Sequence, residues 1–179
     1  MPFFLDHELH PFYKNNPQAR KQFVGLVGCS NKRIQHRPCK ARDMYCGALA
    51  KMSIRWLDRN CEKWFIISPV YHLLEPDQII EPYKGRVSDM PEEDIISWAQ
   101  IIQRQLREKV GFKTPFLILA GAEYANNLRL PKRYRVSKHF KLLDPCQNTI
   151  MGMRMHWLRT HPVLSRKVVR MIKHGEALA

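Results

Sequence analysis

Three short runs of continuous apolar residues constrain the fold of this chain more than any other feature. They span residues 23–30, 63–69 and 115–122, and each ends in small or polar residues that are typical of a turn. Strands with one face in water alternate between apolar and polar residues, whereas strands covered on both faces are apolar throughout. The three runs therefore predict three strands buried in a parallel sheet.

Helical patterns fill the gaps between these runs. Apolar residues recur at three-to-four-residue steps from about 42 to 58, and again at Ile95, Ala99, Ile102 and Leu106. The resulting order is strand, helix, strand, helix, strand. Because such crossovers are right-handed, this order predicts a parallel sheet with helices on both faces.

The C-terminal third adds one more strand and a basic helical part. A fourth strand is expected at 134–140, followed by helical pieces at about 147–159 and 163–174. With 179 residues, 45% of them hydrophobic, the chain can bury one sizeable core but is short for two. We expect a single domain over residues 1–179 of the α/β class, with three α/β/α layers around a mainly parallel four-stranded sheet.

The charge of the chain indicates a polyanionic partner. Thirty Lys and Arg against sixteen Asp and Glu leave a net charge of +14. The excess lies in two flanks, since residues 11–63 carry 12 basic and 3 acidic side chains and residues 129–179 carry 12 and 2. Nucleic acid, with DNA first, is the expected partner, and an anionic membrane surface or a merely solvated basic surface are the alternatives. No feature indicates an obligate protein partner.

Location and cofactors follow from what the sequence lacks. No stretch reaches the roughly 18 uncharged apolar residues that span a bilayer, and the first residues lack the pattern of a signal peptide. We expect a cytoplasmic protein with reduced cysteines. The spacing of Cys29, Cys39, Cys46 and His36 lacks the paired ligands typical of zinc, so no metal and no cofactor are expected.

Candidate site residues follow from the position of ligand sites in open parallel sheets. Ligands bind beyond the carboxyl ends of the strands, and here that rule selects residues 28–33, 68–83 and 121–127. In the first segment, small residues allow close backbone approach, while Lys32 and Arg33 can neutralise a phosphate. Each candidate also has a structural alternative, since small residues form turns, a histidine can be held by hydrogen bonds, and a tyrosine can cover the core.

Two basic segments are candidates for phosphate contact. Residues 37–45 combine cations, an acid and an aromatic ring, so Arg42 and Asp43 could pair locally or grip a phosphodiester with Tyr45 beneath a base. The densest cationic region follows residue 129, and through residue 174 it contains a single acid, Asp144. A solvated helix face is the alternative there. The expected contacts to a nucleic-acid backbone are Lys138, Lys141, Arg154 and Arg159.

Several motifs resemble known families. Leu-Val-Gly-Cys-Ser-x-Lys at 26–32, Ala-x-Asp-x-Tyr at 41–45 and Ile-Leu-Ala-Gly-x-x-Tyr at 118–124 resemble an uncharacterised family of small bacterial and phage proteins, over residues 23–160. The Cys-Ser-x-Lys opening also resembles the core domain of archaeosine synthase, which acts on a deazaguanine base. More distantly, the layout is similar to the uracil-DNA glycosylase superfamily, with Gly-Cys-Ser-Asn where those enzymes carry Gly-x-Asp-Pro-Tyr.

The glycosylase resemblance implies a glycosylase-like fold and an enzyme that cleaves the N-glycosidic bond of a modified or non-standard base extruded from DNA. A role in phage defence would fit. A base-modifying enzyme of deazaguanine type and a non-catalytic nucleic-acid-binding module are the alternatives. The expected catalytic residues are Asn31, Asp43 and His72, of which Asn31 or Asp43 would position the attacking water. The expected substrate-binding residues are Cys29, Ser30, Lys32, Arg42, Tyr45, Ser68, Tyr83, Gly121 and Tyr124.

Overall fold

The computed structural model describes residues 18–174, and its main sheet contains five strands. In chain order the strands are β1 (Val24–Gly28), β2 (Cys39–Lys40), β3 (Trp64–Ser68), β4 (His72–Leu74), β5 (Ile79–Ile80), β6 (Phe116–Ile118) and β7 (Leu142–Leu143). The main sheet has the order β4-β3-β1-β6-β7, in which all neighbours are parallel except β4 against β3. Strands β2 and β5 form a separate antiparallel pair.

Six α-helices lie within the described residues. They are α1 (Ala41–Met44), α2 (Ala48–Asn60), α3 (Glu92–Val110), α4 (Ala122–Leu128), α5 (Met151–Thr160) and α6 (Arg166–His174). Helix α2 packs against β1 and α5, whereas α3 packs against β4 and α4. None of these helices is long and apolar enough to cross a membrane.

The close packing of β1 shows that helices cover both faces of the sheet. A Cβ added at Gly25 would lie 2.5 Å from Leu57 of α2, and one at Gly28 would lie 2.8 Å from Tyr124 of α4. Residues an odd number of positions apart on a strand point to opposite faces. The chain is therefore an α/β protein with a mostly parallel sheet between two helical layers, as the apolar runs predict.

Two strands differ from the sequence prediction, and the sheet has five strands rather than four. The antiparallel strand β4 follows a tight turn in which His72 adopts a left-handed φ of 60°. The prediction of a strand at 134–140 is wrong, because the last strand of the sheet, β7, begins only at Leu142. In the 134–140 segment the side chains of Gln100 and Gln103 bond the backbone of Tyr134 and Val136. These bonds satisfy backbone groups that a strand would pair in the sheet.

The end of α5 and helix α6 lie at the amino edge of the sheet, where β1, β3 and β6 begin. Trp56 Nε1, near the end of α2, donates to the carbonyl of His161 at 2.7 Å. Leu164 N donates to Asn60 Oδ1 at 2.7 Å, and Lys173 Nζ donates to Gln22 Oε1 at 3.0 Å. Because Gln22 immediately precedes the start of the buried β1 run, α6 lies at the opposite edge from the carboxyl ends of the strands.

Candidate active site at the carboxyl edge

The strand order places three sequence segments together at the carboxyl edge of the sheet. Strand β3 lies on one side of β1 and β6 on the other, so the connections diverge at β1, the position where open sheets form a ligand crevice. Cys29 directly follows β1, and its backbone N–H donates to Ile67 O in β3 at 3.0 Å. Its thiol lies 2.7 Å from the hydroxyl of Tyr124, which follows β6.

Hydrogen bonds link the polar side chains at this edge into one group. Ser68 Oγ donates to the Tyr83 hydroxyl at 2.9 Å, and the hydroxyls of Tyr45 and Tyr83 are 2.8 Å apart. Arg33 Nη2 lies 3.6 Å from Cys29 Sγ, which joins the thiol to the same group. The polar cluster consists of Cys29, Arg33, Tyr45, Ser68, Tyr83 and Tyr124. It combines one thiol, four hydroxyls and one guanidinium, and contains no carboxylate.

Arg33 is the single cation of the polar cluster. Its guanidinium lies over the Tyr83 ring, 4.3 Å from the centroid, and donates to Gly85 O at 2.8 Å and to Tyr83 O at 3.2 Å. Burial lowers the pKa of Arg33, but neighbouring Tyr83 and Cys29 outweigh this effect, so its pKa lies above the usual value. The Nε–H is buried and has no hydrogen-bond partner among residues 18–174. A fixed positive charge with an unused donor therefore lies beside the thiol.

The three phenols of the polar cluster are neutral at physiological pH. Burial raises the pKa of Tyr45, Tyr83 and Tyr124 well above the usual value for tyrosine. The proximity of Tyr83 adds to this effect at Tyr45, and that of Cys29 adds to it at Tyr83 and Tyr124. Each phenol therefore keeps its proton and can donate a hydrogen bond.

The loop after β1 is held against the segment between the first two helices. Ile34 N donates to Met44 O at 2.9 Å, and Cys46 N donates to Lys32 O at 2.7 Å. Ser30 Oγ accepts from Gly47 N at 3.1 Å and donates to Lys32 O, which gives Ser30 a structural role. These contacts hold residues 45–47 in extended backbone. The helix predicted over 42–58 is therefore confirmed from residue 48 onward, and the separate short helix α1 precedes it.

Ser68 and His72 belong to the turn that joins β3 to β4. Ser68 Oγ accepts from the backbone N–H groups of Val70 and Tyr71 at 3.2 and 3.1 Å. Trp98 Nε1 donates to Ser68 O at 2.8 Å. His72 is half-buried, and burial lowers the pKa of its imidazole, which is therefore neutral at pH 7. Ser68 is thus held rigidly at the end of its strand.

The other predicted site residues lie around the polar cluster or away from it. Asn31 and Lys32 are exposed on the loop after β1, and Asp43 is exposed on α1. Gly121 directly precedes α4, and a Cβ added there would meet no atom within 4 Å, so open space lies beside it. Tyr45 is only 1% exposed, so its ring cannot lie beneath a base as predicted. Tyr45 instead forms a hydrogen bond with the hydroxyl of Tyr83 from inside the core.

Arg42 belongs to a different region of the molecule. It does not pair with Asp43 but contacts Asp58 at 3.1 Å and Asp77 at 3.4 Å, and it lies over the Trp64 ring. These residues line a cavity of about 520 Å³ at the amino edge, whose lining carries four cations and four carboxylates, several paired with one another. Arg42, which was predicted to bind substrate, therefore lies away from the polar cluster, where we place the candidate site.

The predicted backbone contacts also require correction. Arg154 is buried and makes a two-point ion pair with Asp144, with side chains 4% and 1% exposed, so it cannot reach a phosphate. Lys138 and Arg159 are exposed, as is Lys141, whose carbonyl accepts from Phe116 N at the amino edge. Sequence reasoning favoured Lys32 over Arg33, although the structure turns Arg33 inward. The one signal in the sequence for the inward direction of Arg33 is its position four residues after Cys29.

No metal or disulfide chemistry is evident in the described part of the chain. Within residues 18–174, no group of three or more His, Cys, Asp and Glu side chains could hold a metal ion. The five cysteines are unpaired. Burial raises the pKa of the Cys61 and Cys146 thiols to about 12, which keeps both protonated and unreactive. Cys29 is therefore the buried thiol with a polar environment suited to chemistry.

Tyr83→Phe is expected to lower the free energy of unfolding by about 1–2 kcal/mol, because Ser68 and Tyr45 both lose a partly buried hydrogen-bond partner. Urea unfolding followed by circular dichroism measures the change. Tyr71→Phe is the matched control, since its hydroxyl makes one exposed contact of 3.3 Å with Glu81 O. That control should change stability by less than about 0.5 kcal/mol. Equal effects of the two substitutions would contradict the role of Tyr83 as the centre of the polar cluster.

Comparison with known proteins identifies a family but no characterised relative. Residues 24–160 match the model of a family described as a family of unknown function. The expected resemblance to such a family over 23–160 is thereby confirmed. No curated protein matches the chain. The similarities to archaeosine synthase and to uracil-DNA glycosylases stay predictions.

Proposed function

This chain belongs to the family DUF6884, and we propose from the geometry of the polar cluster that it is an enzyme acting on a nucleobase in DNA. In this proposal the reaction is cleavage of the N-glycosidic bond of a modified or non-standard base, on a glycosylase-like α/β/α fold. The observation that carries the proposal is the convergence of Cys29, Ser68 and Tyr124 at the carboxyl edge, where strand order reverses.

The polar cluster offers the two features that recognition of an extruded base requires. A base presents a flat π surface and an edge of hydrogen-bond donors and acceptors. The Tyr83 ring already stacks with a planar guanidinium, and the Tyr71 ring meets it edge-on with centroids 5.3 Å apart. Tyr83 and Arg33 are half-buried and carry the polar groups of the cluster that lie nearest to solvent, whereas the other four members are buried behind them. Open space beside Gly121 gives room for a base.

Arg33 suits the charge that develops in this reaction. When the glycosidic bond breaks, its electron pair leaves with the base, which becomes anionic unless it is protonated. A fixed cation in a partly buried site stabilises such charge more than it would in water. The unused Nε–H of Arg33 is a donor available for this purpose. Asn31, exposed in the same loop, would position the attacking water, whereas Asp43 lies on α1.

The cationic rim of the polar cluster comes from residues other than the basic tail. Lys32 and Lys84 are exposed and adjoin Arg33 and Tyr83, and Arg37 is exposed in the same loop as Lys32. We assign contacts with the phosphates next to the target base to these three side chains. This assignment replaces Lys141 and Arg154, of which one lies at the amino edge and the other is buried.

A second candidate reaction is covalent base modification. It is favoured by the composition of the polar cluster, which holds a thiol beside a guanidinium but no carboxylate to activate water. Thiols are effective nucleophiles toward electron-poor carbons. In this alternative the Cys29 thiol adds to an unsaturated, electron-poor carbon of the base, and its proton goes to the neighbouring nitrogen. An amine donor then displaces the thiol, which regains its proton, and the glycosidic bond stays intact.

Incubation with oligonucleotides that each carry one modified base tests the proposal. Alkaline strand cleavage reports loss of the base, and the mass of the intact strand reports a modification. We expect strand breaks at one base type that Asn31→Ala reduces strongly and the control Gln35→Ala, in the same exposed loop, does not. A mass gain without breaks would favour base modification. Unaltered DNA with retained, salt-sensitive binding would contradict an enzymatic function.

A further inference from the structure

Four of the five exposed side chains of α6 are cations, and the fifth is His174. Arg166, Lys167, Arg170 and Lys173 are exposed, whereas Val168 and Ile172 are buried against the core. We call these four cations the anchor surface. Among residues 18–174, no carboxylate pairs with them, and the one acid between 129 and 174, Asp144, is occupied by Arg154. Such a surface retains its full positive charge toward solvent.

The anchor surface lies far from the polar cluster. Lys173 contacts Gln22 and lies over the Phe23 ring, immediately before β1, whereas Cys29 follows the end of β1. The strand has five residues, which at roughly 3.3 Å each separates the two edges by about 16 Å. One phosphate group cannot contact both regions. A partner that uses both must be extended.

We propose that the anchor surface binds the phosphate backbone of the same nucleic acid whose base enters the polar cluster, at a distance of several nucleotides. The part of this proposal that concerns the base rests on the proposed function. Successive phosphates of one strand are about 3.4 Å apart along the helix axis, so about 16 Å corresponds to roughly five nucleotides. The anchor surface therefore makes productive binding depend on flanking length.

The packing of α6 favours nucleic acid over a membrane. Helices that lie on a membrane insert an apolar face into the lipid. Here Val168 and Ile172 are covered by the core, Val169 packs against it and Met171 is half-buried, so no apolar side chain of α6 is fully exposed. The exposed side chains are the four cations and His174. Phosphate contact through Lys and Arg requires no exposed apolar face.

Charge reversal on α6 tests the proposal without requiring catalysis. Binding of an unmodified, fluorescently labelled 30-nucleotide duplex is measured across salt concentrations for Arg166→Glu with Arg170→Glu. The control, Arg104→Glu with Arg107→Glu on α3, changes the net charge equally at exposed positions in the other helical layer. We expect the α6 variant to bind at least 10-fold more weakly near 0.1 M salt. Its salt slope should fall by about 2, since each lost phosphate contact contributes roughly 0.9.

Equal losses in both double variants would overturn the proposal, because general charge would then explain binding. So would unchanged duplex binding together with loss of binding to phosphatidylserine vesicles, which would assign the anchor surface to membranes. Circular dichroism checks helix content, and Arg166→Gln with Arg170→Gln repeats the test with a smaller charge change.

Flanking length distinguishes this proposal from the proposed function. If a target base is found, substrates with ten flanking nucleotides on each side should bind more tightly than those with three, and only for a protein with an intact anchor surface. Absence of this length dependence would overturn the anchor while the enzyme proposal stands. Salt-sensitive binding through α6 without any base chemistry would support the anchor and contradict the enzyme.

Discussion

Arg154→Met is expected to lower the free energy of unfolding by about 3–5 kcal/mol, because it leaves the buried Asp144 carboxylate without its counter-ion. The guanidinium makes two contacts of 3.1 Å with the carboxylate oxygens and donates to Ala120 O at 2.7 Å. All of these partners would remain buried after the substitution. Denaturant unfolding followed by circular dichroism measures the loss, which is a large part of the roughly 5–15 kcal/mol typical of domains.

A second substitution separates loss of the ion pair from loss of packing. Replacing both partners, with Asp144→Leu added to Arg154→Met, removes the uncompensated charge and should recover much of the stability. Lys138→Met is the control, since this exposed cation should change stability by less than about 0.5 kcal/mol. A loss below about 1 kcal/mol for Arg154→Met would show that solvent reaches the pair and would contradict the buried role described here.

The ion pair also supports the candidate site. Ala120 immediately precedes Gly121 and the start of α4, and its carbonyl is held by Arg154. Asp144 Oδ1 in turn accepts from Cys146 N at 2.9 Å, in the segment after β7. Arg154 thus fixes the connection that carries Tyr124 toward Cys29. Arg154, which was predicted to bind phosphate, is instead a buried residue that holds the backbone at the carboxyl edge of the sheet.

Strand positions were predictable where burial alone determines them. The runs that contain β1, β3 and β6 are apolar throughout because helices cover both faces of the sheet. The type of each residue in these runs is therefore enough to predict a buried strand. Strand β4 was not predictable in this way. It depends on His72 adopting a left-handed backbone, which the residue type does not indicate.

Elements that depend on distant partners were not predictable. Residues 134–140 alternate like a strand, but Gln100 and Gln103 of α3 occupy their backbone groups. The interruption at residues 45–47 arises from bonds with the loop after β1. In both cases a side chain or loop remote in sequence satisfies the backbone, and periodicity carries no information about it.

The candidate site also has a part that was predictable from the sequence and a part that was not. The carboxyl-edge rule selected Cys29, Ser68 and Tyr124, and the structure brings these three residues together, because topology determines where strand ends meet. The rule does not determine side-chain direction. Arg33 turns toward Cys29 while Lys32 faces solvent, and Arg42 turns toward Asp58 and Asp77. The charge of a loop therefore indicates a region but not which of its cations lies in the polar cluster.

Arg33→Met is expected to reduce the turnover of the proposed base-releasing reaction by about 100-fold to 1,000-fold. Loss of one preorganised charge-stabilising group in an active site typically has this effect, equivalent to about 2.7–4 kcal/mol of transition-state stabilisation. Arg33 is the single cation of the polar cluster and lies 3.6 Å from the Cys29 thiol. Methionine retains similar length but removes the charge and all donors. Steady-state cleavage of the target-base oligonucleotide measures the change in kcat.

The control and a conservative variant separate charge from structure. Lys113→Met removes the same charge from an exposed residue just before β6, at the opposite edge of the sheet, and its kcat should stay within a few-fold of wild type. Arg33→Lys keeps the charge but cannot donate to both Gly85 O and Tyr83 O, so it should recover only part of the activity. If Arg33→Met remains folded by circular dichroism and keeps wild-type kcat, the departing base does not depend on this guanidinium. The reaction would then have to draw its charge stabilisation from the exposed rim, where water screens Lys32 and Lys84 and makes each less effective.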